Sequence, residues 1–193
     1  MKNLFLSLAF VLPLAACAPN LSRSIVVTTI PLVQIENKVP LSNTARARVG
    51  SFTDARTDLT AAEIDGRKIP ADGDIGSAVV LGFEQALRDS GMQLVLFDAP
   101  TVSGQVKEWK VVVKPKFPTS EITATAELEV SVKDMSGNNV YGATYTGEMA
   151  ASDMYANETK VKKILGLAMS QAIQQAVEDS LLVERLRMAS ILK

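Results

Sequence analysis

Apolar and polar positions alternate most strictly between Ile122 and Val132. Ile122, Ala124, Ala126, Leu128, Val130 and Val132 fall on one side, and Glu121, Thr123, Thr125, Glu127, Glu129 and Ser131 on the other. A period of two with one apolar side predicts a strand in a sheet that is wet on one face. Before it, Val102 and Val106 share a phase, whereas Trp109, Val111 and Val113 share the opposite one. A slip of one residue inverts the faces of a strand, so the change near Lys107-Glu108 predicts a bulge. Asp134 to Asn139 reads as a hairpin turn, and Val140 to Met149 as a returning strand with Tyr141 and Tyr145 on one face.

Two stretches carry a helical period instead. Ser77 to Ser90 places Val79, Val80, Phe83, Ala86 and Leu87 on one face, with Asp74 or Ser77 as the N-terminal cap and Gly91 at the C-terminal stop. Asn157 to about Met188 reads as one long helix with a broad stripe running from Val161 to Val177, whose alanines suit close packing on a sheet. Earlier in the chain, Ser24 to Ile35 is β-branched but broken by Pro31, as in an edge strand or extended arm. Pro40 to Asn43 reads as a turn, Ala45 to Phe52 as a strand with one buried face, and Met92 to Phe97 as a short strand. Thr53 to Gly76, rich in Asp, Gly and Thr, reads as a long loop. These patterns together predict an α+β fold: a mostly antiparallel sheet with two helices packed on one face, preceded by a cleaved lipoprotein signal peptide.

The signal peptide is the expectation for residues 1–16. Lys2 supplies a positive start, Leu4 to Leu14 is almost unbroken apolar, and Leu14-Ala15-Ala16 puts small residues before Cys17. The apolar run is shorter than the roughly 20 residues a membrane-spanning helix needs. Leu14-Ala15-Ala16-Cys17 resembles the lipobox of bacterial lipoproteins. That resemblance implies that Cys17 becomes the N-terminus and carries a diacylglyceryl thioether, usually with a third acyl chain on its amine. One acyl chain holds a protein only reversibly, whereas two or more hold it firmly. Ala18, where lipoproteins retained at the inner membrane often carry Asp, favours the outer membrane. Residues 17–24 then form a lipidated tether, and residues 25–193 a single periplasmic domain.

Composition narrows the chemistry. The chain of 193 residues has a formal charge of −1, which argues against a nucleic-acid partner held by phosphate contacts. It has one cysteine and no histidine, so disulfides, cysteine metal sites and the commonest general base are all missing. No cofactor and no metal site are expected. Asp72-Gly73-Asp74 superficially resembles a calcium loop but lacks the alternating carboxylates and closing Glu, and reads as a turn leading into a helix cap. Asp54 and Arg56 read as a local ion pair that fixes the loop's exit. Lys107, Lys110, Lys114 and Lys116 surround Trp109 in the main basic cluster. They fit either anionic headgroups with the Trp at the interface or cross-strand pairing with Glu127 and Glu129, and pairing is the stronger reading.

Over about Val26 to Arg187 the chain resembles the YajG-like family of uncharacterised bacterial lipoproteins. The resemblance is carried by the lipobox, Val49-Gly50-Ser51-Phe52-Thr53-Asp54-Ala55-Arg56, the helix ending at Gly91, Val102-Ser103-Gly104-Gln105-Val106, the alternating strand, Tyr145-Thr146-Gly147 and the C-terminal helix. It implies an envelope lipoprotein without established enzymatic activity and supplies no catalytic residues.

Three readings of function follow. The first is a non-enzymatic interaction or scaffold protein, lipid-anchored through Cys17 at the periplasmic face of the outer membrane. It binds envelope proteins or itself, in an assembly of the flagellar or secretion type. The second is a binding module holding a lipid, peptidoglycan fragment or other small ligand between the sheet and the long helix. The third is a hydrolase, which requires two of Asp54, Asp58 and Asp65 to converge.

Overall fold

The computed structural model describes residues 24–26, 45–154 and 156–191. Within them, eight strands and three helices follow in the order β1 (Ile25–Val26), β2 (Arg46–Asp54), β3 (Thr60–Ile64), β4 (Arg67–Asp72), α1 (Ile75–Asp89), β5 (Gln93–Leu94), β6 (Thr101–Lys116), β7 (Thr119–Lys133), β8 (Asn139–Asp153), α2 (Glu158–Glu178) and α3 (Ser180–Ile191). The class is α+β in two layers, with the helices on one face of a single sheet and one continuous core between them.

The alternation from Ile122 to Val132 does what its pattern demands. All six apolar residues are buried, and β7 pairs antiparallel with β6 on one side and β8 on the other. The bulge falls where the phase of β6 changes: the register shifts between Val106 and Glu108, so Val106 sits opposite Leu128 and Trp109 opposite Ala126. The extra residue returns Trp109, Val111 and Val113 to the core face.

Three expectations are corrected. The sheet is mixed rather than mostly antiparallel. β1 with β4, β2 with β5, β2 with β6 and β3 with β6 run parallel, and only β3 with β4 and the two ladders of β7 run antiparallel. Parallel neighbours require a crossover, and here α1 lies on the path from β2 to β6. Alternation along one strand reports its buried face but not the direction of its neighbour.

The stretch from Thr53 to Gly76 is not a loop. It holds the end of β2, then β3 and β4 joined at Asp65-Gly66, with φ of 48° and 77°. Two positive φ values in a two-residue connection are the type I′ hairpin geometry, for which Asp-Gly is a preferred pair.

The long C-terminal helix is two helices. Asp179 is extended, with ψ of 111°, and its side chain accepts from the Leu181 N–H at 2.8 Å, so it ends α2 and caps α3. All three helices bury residues in the same core, including Phe83 from α1, Met169 from α2 and Leu182 from α3. Asp74 and Asn157 cap α1 and α2 by accepting from Ser77 N and Lys160 N. Of the predicted arm from Ser24 to Ile35, Ile25–Val26 is an edge strand; the remainder and the turn at Pro40 lie outside the described residues.

β6 holds the sheet together. One of its edges is fully occupied by β7, while the other is shared between two strands. β2 pairs with it as far as Val106, and β3 takes over at Val111. Arg56 occupies the interval. Its guanidinium donates to the Trp109 carbonyl at 3.2 Å and grips the Asp54 carboxylate bidentately at 2.8 and 2.9 Å, while its side chain is almost wholly buried. The predicted Asp54–Arg56 ion pair therefore exists, and it also satisfies a carbonyl that no strand reaches.

The two layers meet closely at Gly147 in β8. A Cβ there would stand 1.9 Å from the Ala168 carbonyl oxygen of α2. Trp109 crosses the same interface, its indole N–H donating to the Leu165 carbonyl at 2.8 Å. Trp109 is thus a core residue, which removes it from any membrane interface.

Replacing Gly147 by Val is expected to lower stability by about 3 kcal/mol, the upper part of the usual cost of overpacking. An unchanged thermal midpoint would contradict the close approach of strand and helix. Arg56→Ala leaves the Trp109 carbonyl without its donor and Asp54 without its partner, at an expected cost of about 2–3 kcal/mol in chemical denaturation. Arg56→Lys restores little, since an ammonium lacks the fork. The hydrogen bonds from Arg56 hold the Asp54 carboxyl below its ordinary range. A group depressed in the folded state stabilises above its unfolded value, near ~3.9, and loses that contribution as pH falls further. The wild type should therefore lose more stability than Arg56→Ala between pH 5 and pH 2.5 (both ~); equal losses would show that the pair contributes nothing.

Candidate functional site

The outer face of the sheet is uncovered and mostly polar, because every second residue of β6 and β7 points away from the helices. Its lysines are largely committed to carboxylates: Lys107 to Glu129 at 2.9 Å, Lys110 to Glu63 at 2.8 Å, and Lys116 to Glu121 more loosely at 3.9 Å. Cross-strand pairing is the role of most of the basic cluster, with Glu63 and Glu121 as partners where Glu127 was expected.

The exception to this paired surface lies at the end of the sheet where β6 begins. There a groove of about 450 Å³ runs between Arg48 and Gly50 of β2, Thr101 and Ser103 of β6, and Lys133 of β7. Phe97 and Asp98 wall it on one side, Met135 and Gly137 on the other. Gly50 keeps the floor low: a Cβ there would come within 2.8 Å of the Thr101 methyl. A shallower cleft of about 260 Å³ continues from it along Thr53, Gln105, Glu129 and Ser131.

The groove is lined by hydroxyls and charged side chains. Arg48 Nε donates to Thr101 Oγ1 at 3.1 Å, and the Ser103 and Ser131 hydroxyls stand 3.2 Å apart. Asp134 is committed to its own turn, accepting from Ser136 N and Asn138 N at 2.9 Å, and these bonds lower its pKa. No hydroxyl of the groove has a basic partner to activate it among the described residues. The donors available to a ligand are serine and threonine hydroxyls and two cations, a set suited to hydrogen-bond acceptors.

Met135 forms a ridge between this groove and a second cavity of about 330 Å³, lined by Val140 of β8 and by Arg185, Met188 and Ala189 of α3. The wall provided by α3 is fixed by a cluster the sequence did not reveal. Tyr141 and Tyr145 both donate to Asp179 Oδ2, at 2.5 and 2.8 Å, with their hydroxyls 3.0 Å apart. Burial pushes the Asp179 carboxyl up, but the two phenol donors and the backbone N–H groups of α3 outweigh it and leave the pKa lowered. The shared face of Tyr141 and Tyr145 was legible from their spacing; their acceptor, thirty-odd residues away in what read as unbroken helix, was not.

The carboxylates of the hydrolase reading do not converge. Asp54 is bound to Arg56, Asp58 takes the Thr60 hydroxyl and Lys68, and Asp65 sits in the β3–β4 turn. The hydrogen bonds from Thr60 and Lys68 hold the Asp58 carboxyl far below its usual range, which suits an ion pair and not a general acid. Asp74 is a helix cap. Among the described residues no group of three acidic, His or Cys side chains is placed to hold a metal, and no helix is long and apolar enough to cross a membrane. The layer between sheet and α2, expected to hold a ligand in the second reading, is filled by Trp109, Leu165 and Met169, and the three cavities lie elsewhere. Cys17 lies outside the described residues.

Comparison with known proteins supports the architecture. A crystal structure of a protein from Xanthomonas campestris assigned to family-model DUF330 is similar over 72% of this chain and 85% of that one, with a TM-score of 0.54 and 14% identity. A minor lipoprotein from Acinetobacter baumannii aligns over 74% of this chain and 96% of its own, with a TM-score of 0.44 and 13% identity. Lipoprotein GNA1162 from Neisseria meningitidis aligns over 68% and 96%, with a TM-score of 0.39 and 10% identity. No family model matches the chain, and no curated protein does. The first of these likenesses shows a shared α+β fold, and the sequence motifs alone carry the YajG-like resemblance.

Proposed function

We infer that this chain is a lipid-anchored envelope lipoprotein at the periplasmic face of the outer membrane, acting without catalysis as an interaction or scaffold protein in an assembly of the flagellar or secretion type. The observation that carries the anchor is Leu14-Ala15-Ala16-Cys17, in which the sole cysteine of the chain occupies the position that lipid attachment requires. Ala18 supports outer-membrane sorting. The YajG-like motifs support an envelope role without enzymatic chemistry.

The interaction role is supported by the end of the sheet where β6 begins. Leu96, Phe97, Met135 and Met188 are exposed there, beside the cations Arg48, Lys133 and Arg185. Apolar anchors rimmed by charge suit a protein surface, since large apolar groups release water on docking while the rim selects the partner. A second reading, a binding module for a lipid, peptidoglycan fragment or other small ligand, is favoured by one observation. The outer groove has the volume of a small-molecule site and a lining of hydroxyls and cations.

Cys17→Ser is expected to abolish labelling by radioactive palmitate and to leave the protein unprocessed or released from the membrane pellet; a variant that still floats with membranes would exclude lipid anchoring. Crosslinking and pull-down of the acylated protein from native membranes should return a defined protein partner, or a second copy, and Phe97→Asp with Met135→Asp should lose it. Recovery of monomer alone would end the scaffold reading, and retention of a soluble glycan fragment in its place would favour the ligand module.

A further inference from the structure

The opposite end of the sheet carries a different surface. β6 and β7 are joined there by Phe117-Pro118, and Phe117 is 102% exposed. β8 ends beside the same tip, because Ser120 pairs with Asp153, and the next residue, Met154, is 63% exposed. Lys114 and Lys116 precede Phe117 on β6, and Lys114 stands opposite Glu121 of β7. Among the described residues Lys114 makes no ion pair, and Lys116 has only its loose contact with Glu121. Two uncovered apolar side chains beside two lysines that share only the exposed carboxylate of Glu121 match the two layers of an anionic membrane surface: acyl chains below, charged headgroups above.

The start of the domain points the same way. β1 runs parallel to β4, with Ile25 opposite Ala71, and β4 runs away from the Asp65-Gly66 turn. That turn lies beside Val113, where the Asp65 N–H donates to the Val113 carbonyl at 3.3 Å. The chain therefore enters β1 heading away from the Phe117 end. Ala71 lies near the level of Trp109, so Ile25 stands eight strand positions from Phe117, roughly 26 Å at 3.3 Å each. Cys17 precedes Ile25 by eight residues, and eight residues reach at most about 29 Å. Eight residues are therefore enough, at full extension, to span the height between Ile25 and the hairpin tip.

We propose that the β6–β7 hairpin tip, through Phe117 and Met154 with Lys114 and Lys116, is a second membrane contact that seats on anionic lipid beside the acyl chains of Cys17 and fixes the orientation of the domain. The proposal rests on the lipid-anchor reading for its geometry but makes a separate contact. The first test uses the acylated full chain in vesicles of three parts phosphatidylethanolamine to one part phosphatidylglycerol, with Phe117→Trp as a reporter. Acyl chains brominated near the headgroup are expected to quench the added indole, while Trp109, buried in the core, stays unquenched in the wild type. Adding Lys114→Glu and Lys116→Glu should abolish that quenching while the protein remains vesicle-bound. An added indole that is unquenched and solvent-exposed on bound protein overturns the proposal and leaves the anchor standing.

The second test uses the unacylated Cys17→Ser chain freed of residues 1–16, with the same vesicles and with pure phosphatidylcholine. Weak, salt-sensitive binding to the anionic vesicles alone is expected, falling at least tenfold on Phe117→Ser with Lys116→Ser. Equal binding to both vesicle types, or none to either, counts against the tip. Failure of acylation with the salt-sensitive binding intact would remove the anchor reading and keep the contact.

Discussion

β6 must satisfy two different strands along one edge, and the rest of the fold follows from how that edge is completed. β2 and β3 approach it in succession and leave an interval where no backbone neighbour is available. A buried carbonyl without a donor costs about 1–3 kcal/mol, and Arg56 removes that cost with a group held rigid by Asp54. The bulge at Lys107 falls in the same interval, so the change of partner on one edge coincides with a change of register on the other. Because the bulge restores the phase of Trp109, the core face continues unbroken from Val102 to Val113, and α2 has one surface to lie on.

That surface explains the composition of α2. Ala168 and Ala172 face Gly147, and the backbone of the helix comes almost into contact with the strand. Small residues where the layers touch, with Trp109 and Met169 filling the space beside them, give a dense joint with little room for a ligand. The cavities described lie instead at the rim and on the outer face. Two of the exposed apolar surfaces, at Phe97 with Met135 and at Phe117 with Met154, lie at opposite ends of the β6–β7–β8 meander.

Much of this was legible in the residues, and the rest failed for identifiable reasons. The β7 alternation, the phase change in β6, the cap at Asp74 and the Asp54–Arg56 pair all depend on neighbours within a few positions, which a sequence displays directly. The β3–β4 hairpin was also written locally, in Asp65-Gly66 between Ala61-Ala62-Glu63-Ile64 and Arg67-Lys68-Ile69, but the surrounding charges obscured it. Strand direction was not local: β2 lies parallel to β6 because of a crossover. The break at Asp179 was not local either. Its residues continue a helical period, and what stops the helix is a carboxylate drawn to Tyr141 and Tyr145. The groove was invisible for the same reason, since Arg48, Ser103 and Lys133 come from three strands.

The length of the meander has a mechanical meaning. β6, β7 and β8 are each 15 or 16 residues long, and at about 3.3 Å per residue they span roughly 50 Å. They are laced to one another along nearly their whole length and braced by α2, so they bend little. A body of that kind acts as a strut. Were the hairpin tip to seat on lipid as proposed, the groove and its methionine ridge would stand at a set height above the bilayer, beyond the headgroup layer. The number of residues in three strands would then set the height of that groove.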